Sequence, residues 1–108
     1  METINFLQNC FTRVSSSKRY MRIPTKSGNF ILSCVAGACF YCEPREDGLE
    51  EYDAVELGIF DAQGNWANCE DLTGAFKILE QMGECEYGGP PVFGWVSWEK
   101  IAELYETL

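Results

Sequence analysis

Residues 43–61 read EPREDGLEEYDAVELGIFD, from Glu43 to Asp61, and two patterns meet in them at Tyr52. Up to Glu51 the carboxylates crowd around Pro44 and Gly48, which break regular structure and predict an exposed acidic loop. From Tyr52 onward the chain alternates, with Val55, Leu57 and Ile59 on one parity and Ala54, Glu56, Gly58 and Phe60 on the other. A period of two is the mark of a half-buried strand, and this is the clearest strand in the chain. The architecture follows from what flanks it.

Upstream, Arg19 to Thr25 alternates through Tyr20, Met21, Arg22 and Ile23 and predicts a first strand. Pro24 removes a backbone donor near its end and places that strand at an edge or stops it there. Ser27, Gly28 and Asn29 form a turn signal, so a hairpin leads into a second arm. That arm runs from Phe30 with Leu32, Cys34 and Ala36 on one parity, and Gly37 marks a bulge or a sharp bend. Before these strands, Ile4, Leu7, Cys10 and Phe11 recur at helical spacing behind Thr3, a candidate cap, and Val14 to Lys18 reads as a loop.

Downstream, Ala62 to Asn65 is a turn, and Asn65 to Asn68 is expected to return as a short strand carrying Trp66. Asp71 is a candidate cap for a helix with Leu72, Phe76, Leu79 and Met82 on one face and Gly83 as its stop. Glu84 to Pro91 reads as a loop and Val92 to Val96 as a last short strand. Ser97 then caps a closing helix, Trp98 to Thr107, with Ile101, Leu104, Tyr105 and Leu108 inward. The prediction is an α+β fold: an antiparallel sheet of about four to five strands packed with two to three helices, one domain over residues 1–108.

Charge is distributed unevenly along the chain. Residues 1–42 hold five basic side chains against one acid, a net of +4, while residues 43–108 hold three against sixteen, a net of −13. Such an acidic part repels a phosphate backbone, so direct nucleic-acid contact is not expected except through the short basic part. A protein with a basic surface is the natural partner. No apolar run is long enough to span a membrane and no signal peptide is legible at the start, which predicts a cytoplasmic chain with its six cysteines reduced.

Candidate chemistry is sparse. Cys39 and Cys42 match C-x-x-C, but a zinc site wants a second ligand pair, and the chain has no histidine. A redox pair wants a helix N-terminus, whereas this one follows an extended stretch; buried structural thiols are the expectation. Asp61, Gln63 and Asn65 begin like a calcium loop, yet Trp66 stands where glycine is required, so they read as a turn. With serine chemistry also lacking its base, no cofactor is expected and the chain reads as a non-enzyme. What remains is a binding surface: Glu43, Glu46, Asp47, Glu50, Glu51, Asp53 and Glu56 as partner-facing carboxylates. Of Trp95 and Trp98, one is expected exposed as an anchor, and Trp95 is the candidate.

In its short length, its dense carboxylates over Glu43 to Asp61 and its lack of an enzyme signature, the chain resembles the small acidic anti-defence proteins of phages and mobile elements, the anti-CRISPR and anti-restriction inhibitors. The likeness is of class and carries no residue role. It implies a stoichiometric inhibitor in a bacterial host cell that occupies the basic nucleic-acid-binding face of a CRISPR effector or another defence nucleoprotein complex, in some cases as a nucleic-acid mimic. Two alternatives stand beside it: an accessory subunit whose acids serve only solubility, and a zinc or redox protein around Cys39 and Cys42. A homodimer through the strand edge near Pro24 or through the last helix also stays open.

Overall fold

A computed structural model describes residues 2–15, 18–75, 78 and 91–108. Helix α1 (Glu2–Cys10) is followed by strands β1 (Thr12–Arg13), β2 (Arg19–Pro24), β3 (Phe30–Ala36) and β4 (Ala54–Asp61). A short 3-10 segment (Cys69–Ala75), strand β5 (Val92–Ser97) and helix α2 (Trp98–Thr107) complete the order. The five strands form one antiparallel sheet in sequence order, and the fold is α+β. Among the described residues no helix is long and apolar enough to cross a membrane.

The alternation in β4 decides which side of the sheet is covered. Val55, Leu57 and Ile59 are fully buried and share one core with Leu32 and Cys34 of β3, Phe93 and Val96 of β5, Leu7 of α1, and Ile101 and Leu104 of α2. Both helices therefore lie on one face. The register carries the opposite parity across the strands in rows: Tyr20, Val35 and Glu56; Arg22, Ser33, Gly58 and Val92; Pro24, Ile31 and Phe60. This second face has no helix on it among the described residues, and the side chains of Tyr20, Ile31, Val35 and Phe60 are only half-buried.

Local chemistry sets the ends of the elements. Ser97 has an extended backbone, and its hydroxyl accepts the Lys100 N–H, capping α2 as the sequence predicts. Thr25 and Phe30 close the β2–β3 hairpin, with Gly28 at φ +79°, a conformation that glycine adopts without steric cost. At the other end β3 stops at Ala36, and Gly37 (φ +155°) turns the chain away as a bend rather than a bulge. Pro24 is the last residue of β2, and β1 pairs only with Arg19 and Tyr20, so Met21 to Pro24 form an edge.

Three expectations need correction, and two further features stand beside them. Thr3 is not a cap: it sits inside α1, and its hydroxyl donates to Glu106 at 2.6 Å, tying α1 to α2. The edge strand β1 was not legible, because two residues cannot show a period. Trp66 forms a single bridge to Phe60 instead of a strand. Asp71 lies within the 3-10 segment, where its N–H donates to the Asn68 carbonyl, and does not begin an α-helix there. The basic and acidic parts of the chain also meet in the fold, since Arg13 donates to the Gly48 carbonyl in the acidic loop and Lys26 pairs with Glu106 at 3.7 Å. The proposed helix positions Phe76, Leu79, Met82 and Gly83, and the loop from Glu84 to Pro90, lie outside the described residues.

Candidate binding surface

The acidic loop is fastened at several points to the domain beneath it. The Ala38 N–H donates to Asp47 Oδ1 at 2.7 Å while Arg45 Nε donates to the Ala38 carbonyl at 3.0 Å. Tyr52, buried at the foot of the loop, donates its hydroxyl to the Glu46 carbonyl at 2.6 Å and accepts the Leu49 N–H. Glu43 bridges Ala54 and extends the ladder beyond β3. These bonds leave Glu43, Glu46, Glu50, Glu51 and Asp53 exposed on an ordered scaffold. Asp47 is exposed too, but its carboxylate already holds the Ala38 turn, so it supports the loop rather than standing free.

At Glu56 the sheet is interrupted. Val55 pairs with Val96 and Leu57 with Phe93, so Gly94 and Trp95 on β5 together oppose the single residue Glu56, a β-bulge. Trp95 takes φ +52°, the left-handed region that costs a non-glycine residue about 1–2 kcal/mol. The bulge turns its indole outward, where it is 57% exposed, while Trp98 three residues later is 5% exposed and donates Nε1–H to the Tyr52 carbonyl at 2.8 Å. Of the two tryptophans, one is exposed and the other buried, as expected.

Trp95 does not stand alone. Its N–H donates to the Tyr41 carbonyl at 2.9 Å, and its ring packs on the Tyr41 ring with centroids 5.0 Å apart. Tyr41 is 49% exposed and in turn carries the Arg45 guanidinium 5.1 Å from its centroid. An aromatic pair of this kind contributes roughly 0.5–1.5 kcal/mol and an exposed cation–π contact roughly 0.5–1 kcal/mol, enough to offset the left-handed backbone at Trp95. Gly94 makes the contact possible: a Cβ there would lie 2.8 Å from the Tyr41 Cβ. Sequence reasoning missed Tyr41, Arg45 and Gly94. The one available signal was a glycine between Phe93 and Trp95, inside a strand pattern.

The cysteine motif divides. Cys39 is exposed, whereas Cys42 is buried, with its thiol donating to the Gly37 carbonyl at 3.2 Å and accepting the Gly37 N–H at 3.4 Å. The two thiols face different surroundings, and Cys42 pins the Gly37 bend. Burial pushes the Cys34 thiol far above its ordinary range, so it stays protonated within the core. Among the described residues no group of three or more Cys, Asp and Glu side chains is arranged to hold a metal ion. Asp61 makes the expected turn, its Oδ1 accepting the N–H groups of Gln63 and Asn65 at 3.0 Å each.

No protein-family model matches the chain, and comparison with curated proteins and with solved structures finds no match.

Proposed function

We propose that the chain is a stoichiometric protein-binding inhibitor whose partner presents a basic surface, such as the nucleic-acid-binding face of a bacterial defence complex. The observation that carries this reading is Trp95: a large apolar ring is held more than half exposed, on a strained backbone, by a bulge and a tyrosine packed against it at a tilt of 38°. Strain kept at an exposed position is a mark of a functional site, and a rigid aromatic ringed by polar groups is the usual form of an interface anchor. Glu56, half-buried, lies opposite the bulge, Glu43 bridges Ala54 two residues before it on β4, and Glu46, Glu50 and Glu51 extend the carboxylates along the loop. The acids steer a basic partner and set the encounter rate, while burial of the indole slows dissociation.

Glu46→Lys, Glu50→Lys and Glu51→Lys together test the electrostatic half. Immobilised wild-type chain is expected to capture a nucleic-acid-binding complex from bacterial lysate and to reduce that complex's nucleic-acid binding, and the triple variant is expected to do neither. Capture by the triple variant at wild-type level, or capture unchanged by about tenfold more salt, would remove the charge-led reading.

A further inference from the structure

A second surface lies on the helix-free face of the sheet, built by the same chemistry as the Trp95 stack but with the opposite charge. Arg22 of β2 reaches over Phe60 of β4, its guanidinium carbon 4.6 Å from the ring centroid. Trp66 stacks on Phe60 with centroids 4.3 Å apart and an interplanar angle of 21°. Gly58 makes room for the indole, since a Cβ there would lie 3.1 Å from Trp66, and Trp66 remains 48% exposed. One row along the sheet, Lys18 stands over the Tyr20 ring at 5.9 Å. Neither Lys18 nor Arg22 forms an ion pair among the described residues, in a chain whose acids outnumber its bases seventeen to eight.

We infer that this face binds a short single-stranded nucleic-acid segment, a base stacking on Trp66 and adjacent phosphates meeting Arg22 and Lys18. Three features carry the choice of occupant. The exposed ring on a sheet surface is the platform on which unstacked bases pack, and stacking tolerates any base. The two cations have no carboxylate partner among the described residues, so they complement an anion, and Arg22 sits over Phe60 with N–H groups suited to phosphate oxygens. Both cations come from the basic part of the chain, before the acidic loop begins, although β4 brings Glu56 into the row of Tyr20 on the same face. With two phosphates engaged, binding is weak and falls by roughly sevenfold between about 50 and 200 mM salt.

The test is fluorescence anisotropy of a labelled fifteen-nucleotide oligouridylate titrated with the intact chain at about 50 mM salt. Binding is expected, with a loss of roughly tenfold or more for Arg22→Glu and a similar loss for Trp66→Ala. Lys100→Glu on α2, which changes the net charge by the same amount, is expected to move affinity less than about threefold. The Glu46, Glu50 and Glu51 reversals are expected to strengthen oligonucleotide binding, so the two surfaces are separable: loss of protein capture with oligonucleotide binding retained isolates this face from the acidic loop. No oligonucleotide binding at the low salt concentration, or equal losses for Arg22→Glu and Lys100→Glu, overturns the inference. A dimer in sedimentation that Trp66→Ala dissociates also overturns it, because a second copy of the chain would then be the occupant.

Discussion

The two faces of β4 carry alternate residues of one strand and meet opposite surroundings. Toward the helices, Val55, Leu57 and Ile59 are sealed in a core with Leu7, Ile101 and Leu104. Away from them, Phe60 carries a half-exposed tryptophan, and Glu56 lies opposite the bulge that turns another outward. On the proposed reading, the difference separates stability from recognition within a chain of 108 residues. One parity supplies apolar burial, and the other supplies rings held in place by stacking, glycine gaps and backbone hydrogen bonds.

The comparison breaks most visibly if the core parity is disturbed. Leu57→Ala removes a fully buried side chain from the centre of the sheet and is expected to cost about 2–5 kcal/mol, read as a lowered midpoint in urea unfolding. A cost below that range would mean the helices do not seal this face.

Next in size is the gap under Tyr41. Gly94→Ala sets a methyl group against the Tyr41 Cβ and is expected to cost about 1–3 kcal/mol while disordering the Tyr41–Trp95 pair, seen in near-ultraviolet circular dichroism. An unchanged aromatic spectrum would mean the stack does not depend on Gly94.

These two substitutions also mark what was legible in the sequence. The core parity of β4, the Ser97 cap and the Ser27–Asn29 turn were readable because each is local: a period of two, a hydroxyl three residues from an amide, a glycine free to take positive φ. The stacks were not. Tyr41 meets Trp95 across fifty-four positions, and Arg22 meets Phe60 across thirty-eight, so no spacing rule connects them. The exposure of Trp95 was legible from its spacing to Trp98 across Ser97, but its bulge was not, because it depends on Gly94 facing Tyr41 across the fold. The acidic loop was legible as a surface, whereas the engagement of Asp47 with Ala38 was not.

The smallest effect sharpens the contrast at the helix-covered side. The hydrogen bond from Thr3, and after it the charge of Lys26, hold the Glu106 carboxyl below its ordinary range. The folded chain thus releases that proton more readily than the unfolded one. Its contribution is fully present above the ordinary carboxylate range and is lost as pH falls through the lowered folded value. Because Glu106 is solvent-exposed, the change is slight, and Thr3→Ala is expected to lower the neutral plateau of a urea-midpoint-against-pH curve a little and to leave its acid end unchanged, so that the acid limb is flatter. A steeper acid limb in the variant would reverse the sign of this linkage.

The measurement that tests the central claim most directly is a paired determination of stability and partner capture for Trp95→Asn. Asparagine tolerates the left-handed backbone, so relief of strain offsets the lost stack and the unfolding free energy is expected to stay within about 1 kcal/mol of wild type. Capture of the basic partner from lysate is expected to disappear. Undiminished capture by a folded Trp95→Asn chain would contradict the claim that this face of the sheet is built for recognition.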